Sequence, residues 1–163
     1  MENQSVVQLW EDYKKINTEV PDTYDAWAFG DSKELADKLA TWVIEGRKTA
    51  TASNYTLYEL ENEPLPHIGL YNIVLDGNGI AVAIIKTVAV EVVPFDEVKE
   101  EHAYREGAGD RSLQYWRDAH EAFFRRGMEG LDLEFHHKMP VVCERFELVY
   151  GRKADGDSGI HSR

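Results

Sequence analysis

A lysine, two threonines and a serine crowd into one short stretch of this chain, Gly46-Arg47-Lys48-Thr49-Ala50-Thr51-Ala52-Ser53. Lys48 precedes Thr51 by three positions, and on a turning or extended chain both can face one cleft. An amine beside a hydroxyl lowers the cost of forming the alkoxide, and a desolvated lysine can itself take the proton. A carboxylate at the mouth of that cleft would complete the chemistry by moving a proton to a departing amine. Glu106 is the candidate, because it stands at an expected helix end directly before Gly107, an exposed and geometrically defined position. The same residue types also suit a solvated turn without chemistry, and the pattern alone leaves both readings open.

Other chemistries are poorly supplied. His136 and His137 are adjacent, and neighbours on a strand point opposite ways, so they do not share a metal easily. The remaining histidines lack a His-x-x-x-His spacing and cysteine partners, so no metal is expected. Neither of the glycine-rich phosphate-cradling patterns occurs, which argues against a bound nucleotide cofactor, and no nucleophile elbow accompanies a Ser-His-Asp set. We expect no cofactor. The single cysteine, Cys143, lies in an apolar strand-like run and reads as a buried, inert thiol.

Helix and strand patterns supply the frame. From about Glu2 to Ile16, Val6, Leu9, Trp10, Tyr13 and Ile16 recur at helical steps. Tyr24 to Gly30 reads either as a loop plugging the core edge with Trp27 and Phe29 or as an aromatic wall for a flat ligand. Asp31 and Glu34 fit a capping box for a second helix whose buried face is Leu35, Leu39, Trp42 and Val43. Gly46 ends it, so Lys48 and Thr51 leave a fixed helix end and enter an extended segment. Residues 53–68 read as a surface loop. Gly69 to Leu75, the turn Asp76-Gly77-Asn78-Gly79 and the long run Ile80 to Val93 form a hairpin whose second arm is bent or bulged.

Asp96 and Asp110 are placed to cap two further helices. The second carries Leu113, Trp116, His120, Phe123 and Phe124 on one face, and His120 reads as a core histidine or a site residue. Leu133 to His137 is a short strand or an irregular link, and Pro140 to Tyr150 is a final strand. The expected organisation is one domain over 1–150 and a disordered tail over 151–163.

The chain has 163 residues, 43% of them hydrophobic, which suits one domain with a sizeable core. A net charge of -12 argues against gripping duplex DNA, because that binding rests on many lysine and arginine contacts. With no signal segment and no apolar run of about 18 residues, a soluble cytoplasmic protein without membrane partners is the default.

Gly46-Arg47-Lys48-Thr49-Ala50-Thr51 resembles the signature of the ASCH domain family, named for homology to activating signal cointegrator. Further stretches resemble its bacterial branch: Ala26 to Asp31, Pro94-Phe95-Asp96-Glu97-Val98, Glu106-Gly107 leading to Gly109-Asp110-Arg111-Ser112-Leu113, Trp116 with His120, and Pro140-Val141-Val142 with Glu144 and Phe146. The resemblance implies an α+β, PUA-like fold, a small mostly antiparallel β-barrel with helices around a cleft. It also implies RNA-related roles. Some small members are similar to amidohydrolases that remove the acetyl group from N4-acetylcytidine with a lysine, a threonine and a glutamate. Those residues match Lys48, Thr51 and the Glu106 of His102-Ala103-Tyr104-Arg105-Glu106. One departure is Ser53, which stands where those enzymes carry an arginine.

The expected function is a cleft for a nucleobase-like, nucleotide-like or single-stranded RNA ligand, with hydrolysis of an acylated nucleoside as its chemistry. Trp27, Phe29 and Trp116 would supply ring surfaces, and Asp31, Ser53, Tyr55, Arg111 and His120 polar contacts. The alternatives are a non-catalytic RNA-binding module and a ribonuclease in which Lys48 stabilises phosphorane charge.

Overall fold

The protein is described here by a computed structural model covering residues 3–152 and 160–161. Its elements run α1 (Gln4–Ile16), β1 (Asp25–Ala28), α2 (Lys33–Glu45), β2 (Ala50–Asn54), α3 (Tyr55–Glu61), β3 (Tyr71–Leu75), β4 (Ala81–Pro94), α4 (Glu100–Glu106), α5 (Leu113–Gly127), β5 (Pro140–Arg152) and β6 (Ile160–His161). The strands build one mixed, curled sheet in the order β1-β3-β4-β5-β2, with β6 paired to β5. This is the expected α+β class, in the form of a half-barrel with helices packed around it. Most of the expected tail, 151–163, lies outside the described residues; within it Ile160–His161 pairs antiparallel with Gly151-Arg152.

Hydrophobic pattern explains most of the frame. Leu9, Trp10 and Tyr13 of α1 sit against Tyr71, Ile73, Ile84 and Tyr150 of the sheet. Each such large side chain, fully buried, contributes about 1.5–3 kcal/mol. Ile16, read as part of that face, is exposed at the helix end. The hairpin of β3 and β4 turns at Asp76, whose carboxylate accepts from the Asn78 and Ile80 amides. Strand β4 bends through register shifts against β5 between Ile84/Ile85 and Thr87/Ala89. Those irregularities let one long strand curl the sheet around the site.

Several local expectations are corrected. Tyr24 to Gly30 is not a plugging loop: Asp25–Ala28 adds in parallel to β3 as an edge strand. Ser32, not Asp31, caps α2, accepting from the Leu35 amide, while Asp31 pairs with Arg126. Residues 53–68 are not all loop, since Asn54 caps the short helix α3 through the Thr56 amide. That helix has no fully buried residue, so it leaves no apolar stripe to read. Asp96 caps nothing; a 3-10 turn, Phe95–Glu97, precedes α4, whose N-cap position is held by Lys99, and Asp96 bonds Lys138. Ser112 caps α5, with Asp110 accepting from the Ser112 amide. Leu133 to His137 is an irregular link.

Candidate functional site

Everything at the site depends on how α2 ends. Gly46 adopts φ 83°, a left-handed conformation that glycine reaches without Cβ strain. The Arg47 and Lys48 amides then fold back onto the Trp42 carbonyl (2.9 and 3.1 Å). The Arg47 guanidinium crosses to the loop after α4, with Nε donating to Gly107 O (2.6 Å) and Nη2 to Gly109 O (2.9 Å). Thr49 N donates to Arg105 O (2.8 Å), and Phe146 N of β5 donates to Thr49 O (3.0 Å). The stretch is thus fixed to α4 on one side and to the sheet on the other. The Arg47 side chain is what ties this stretch to the loop after α4.

Lys48 is 4% exposed, with Nζ donating to Ala50 O (2.8 Å) and lying 3.4 Å from Glu106 Oε1. Glu106 is buried as well (3% exposed), which corrects the expectation of an exposed position. Four donors converge on its carboxylate. His102 Nε2 and Trp116 Nε1 each lie 2.7 Å from Oε2, and His120 Nε2 lies 3.2 Å from Oε1 with Lys48. The opposite nitrogen of His120, Nδ1, is 2.9 Å from the Trp116 carbonyl. The His120 ring thus bridges the Glu106 carboxylate and the Trp116 backbone.

Burial pushes the Glu106 acid range upward, but the charges of His120 and Lys48 and the histidine hydrogen bonds override it and hold the carboxyl well below its usual range. Burial also lowers Lys48, against the pull of Glu106. Burial thus favours the amine over the ammonium at Lys48.

Lys48, Thr51, Glu106 and His120 all line a first cavity of about 550 Å³, together with Phe29 and the exposed Arg126. The Lys48 ammonium position is 5.1 Å from the Phe29 ring centroid. Leu35 and Leu39, read as part of the buried face of α2, are half-buried and form part of this wall. A second cavity of about 520 Å³ adjoins it. Trp27, Ser53, Tyr58, Phe123 and Glu144 line both.

The anticipated contacts divide accordingly. Trp27, Phe29, Ser53 and His120 face the cavities. Asp31 lines neither cavity; it accepts from Nε of the lining residue Arg126 at 2.8 Å. Trp116 offers no stacking surface, because it is 2% exposed and covered by His120 at 4.2 Å between ring centroids; its indole positions Glu106 instead. Tyr55 lines neither cavity, and Tyr58 takes that place, 2.9 Å from the Ser53 hydroxyl. Arg111 also lies outside. It covers the Tyr104 ring at 3.7 Å and donates to the Tyr104 and Arg47 carbonyls.

Sequence reasoning missed His102 and Glu144 as site residues. His102 was legible as the partner four residues before Glu106 on a helix. Glu144 was legible as a carboxylate inside an apolar strand. It is 5% exposed, and the register sets it directly across from Thr51. Among the described residues, no group of three or more His, Cys, Asp or Glu could hold a metal ion. No helix among them is long and apolar enough to cross a membrane.

The sequence matches the family model of the ASCH domain over residues 25–150. The fold is similar to the crystal structure of protein EF3133 from Enterococcus faecalis V583, at 37% identity and a TM-score of 0.84, covering 90% of this chain and 88% of that one. It is also similar to an ASCH domain from Lactobacillus crispatus JV V101, at 27% identity and a TM-score of 0.83, covering 90% and 94% of the two chains. No curated protein matches the sequence.

Proposed function

This protein belongs to the ASCH domain family, with its PUA-like fold, and from that premise we propose that its cleft hydrolyses the amide of an acylated nucleoside such as N4-acetylcytidine. The observation that carries this reading is the buried Lys48–Glu106 pair, 3.4 Å apart, in a cavity that Thr51 also lines. A surface turn would not desolvate an amine and a carboxylate together, since each costs several kcal/mol to bury.

Burial favours release of the Lys48 proton, and the amine so formed takes the proton from Thr51 Oγ as the oxygen attacks the acyl carbon. The tetrahedral intermediate collapses, the C–N bond breaks, and the Lys48 ammonium returns that proton to the departing nitrogen. Water then adds to the threonine ester and releases the carboxylic acid, restoring the hydroxyl. Glu106 does not donate the proton in this scheme, contrary to the reading from sequence. It is held as the anion, so its part is to orient Lys48 and His120. Ser53 leaves the cleft without the arginine of the related amidohydrolases; Arg126 of α5 stands on the same cavity wall and supplies a cation from another element.

The test is release of acetate and cytidine from N4-acetylcytidine. Thr51→Ala and Lys48→Met should each lower the rate at least about a hundredfold, the usual worth of one positioned proton-transfer group. Absence of turnover across a panel of acylated nucleosides would sink the proposal.

A further inference from the structure

The second cavity has no part in that chemistry as written, yet it opens beside the reacting threonine. Side chains alternate along β2, so Thr51 and Ser53 face the same side, and Glu144 sits opposite Thr51 across the strand pair. Glu144 lines both cavities, and the one hydrogen-bond partner of its carboxyl among the described residues is the Thr87 hydroxyl, 2.6 Å from Oε2. Burial raises its acid range, with the Thr87 bond opposing only in part. A carboxyl that keeps its proton presents one O–H donor and one carbonyl acceptor side by side.

Three further observations concern what this cavity would accept. Asn54 lines it and is 5% exposed; its Oδ1 accepts from Thr56 N, and its Nδ2 is buried with no partner. A buried donor left unmet is costly, so an acceptor arriving there is favoured. The same wall carries Asp25, Glu61 and Glu63 and neither lysine nor arginine among its lining residues. Trp27 borders the cavity with its indole fixed, Nε1 donating to Asn72 Oδ1 at 2.8 Å.

We propose that the second cavity seats the heterocycle, with Glu144 reading its hydrogen-bonding edge, so that the ligand is an uncharged aminoheterocycle presented as a nucleoside rather than as a phosphorylated nucleotide. The edge it matches is a ring nitrogen beside an exocyclic N–H, as in cytosine. The ring nitrogen accepts from the carboxyl O–H and the exocyclic N–H donates to the carbonyl oxygen. The acyl group on that exocyclic nitrogen then projects toward Thr51 and Lys48. A phosphate in or beside this cavity would face the carboxylates of Asp25, Glu61 and Glu63. This inference rests on the reading of the site as a hydrolase of acylated nucleosides, and it adds the residue and the cavity that select the base.

Calorimetric titration of the full chain with cytidine, which needs no turnover, is the test. Cytidine should bind the wild type, and Glu144→Gln should bind it within about threefold, because the amide keeps one donor and one acceptor. Glu144→Ala should weaken it at least about tenfold, the worth of a hydrogen bond that leaves its partner unmet. Asn54→Ser keeps a helix-capping oxygen and removes the Nδ2 donor, so it should also weaken cytidine without unfolding α3, as circular dichroism would verify. Cytidine 5′-monophosphate should bind more weakly than cytidine. Equal affinity in Glu144→Ala, no cytidine binding at all, or tighter binding of the monophosphate or of single-stranded RNA would each overturn the proposal. If cytidine binding depends on Glu144 while no acyl bond is cut, the hydrolase reading fails and the base cavity stands. If Glu144→Ala releases acetate with unchanged kcat and KM, the base cavity fails and the hydrolase stands.

Discussion

Four donors on one buried carboxylate make Glu106 the most heavily committed side chain of the site. Removing it leaves the buried N–H groups of Lys48, His102, His120 and Trp116 without their acceptor. Glu106→Ala should therefore cost about 3–5 kcal/mol of stability, the scale for breaking a buried pair from one side, measured by urea unfolding at neutral pH. Acid titration reads the same network. The folded-state value lies well below 4.5, the reference for the unfolded chain. A carboxyl shifted in that direction contributes fully above the unfolded value and loses its contribution as pH falls through the folded one. The stability gap between wild type and Glu106→Gln should thus narrow below pH 4.5. Cys143 of β5 gives an opposite case. Burial, with Glu106 and Glu91 nearby, pushes its thiol up to about 12. It should resist iodoacetamide at about pH 8, where free cysteine reacts readily, and be alkylated only after unfolding.

At the scale of elements, two glycines with nearly equal φ separate strain from crowding. Gly46 at 83° has open space where a Cβ would project, whereas at Gly107, at 81°, a Cβ would stand 2.8 Å from the Arg47 carbonyl oxygen. Gly46→Ala should cost only the left-handed penalty of about 1–2 kcal/mol. Gly107→Ala should cost more and also depress turnover, because the residue displaced precedes Lys48; thermal melts and acetate release read the two effects. The helix exit at Gly46 was legible in sequence because a terminating glycine has a local cause. So were α1, the hairpin and the final strand, whose apolar periods are long. Strand β1 was not, since Trp27 and Phe29 line a cavity and its register comes from β3. The caps at Ser32 and Ser112 were misassigned because an aspartate stands one or two residues before the serine at both starts, and local sequence does not rank them. Lys48, Thr51 and Glu106 were found from types and resemblance. Glu144 needed the β2–β5 register, which is a long-range fact.

For the whole molecule, the net charge of -12 decides among ligand classes more than any single contact. Nucleic-acid binding by phosphate neutralisation weakens steeply between about 50 and 200 mM salt. Binding of an uncharged nucleoside should change less than about twofold over that range, because it releases no counterions. Single-stranded RNA should compete poorly at either concentration. Titrations at both salt levels check this, and a steep salt slope would favour the RNA-binding alternative. The acidic face of the second cavity and the cations of the first are separated by one wall, so the low overall charge does not prevent Lys48 and Arg126 from acting locally.

The pairing of β2 has a kinetic meaning. Its ladder partner is β5, with Ala50 opposite Arg145 and Asn54 opposite Val141. Emerging from the ribosome, the strand that holds Thr51 has no neighbour to join until nearly all of the sheet has been synthesised. Helices α1 and α2 can form early from local contacts, but Thr51 and Glu144 meet only at the last closure. Topologies dominated by such distant contacts fold slowly. In a stopped-flow refolding experiment, the cleft should therefore mature after the bulk of the helical signal has returned, leaving a late intermediate that is compact yet cannot bind its ligand.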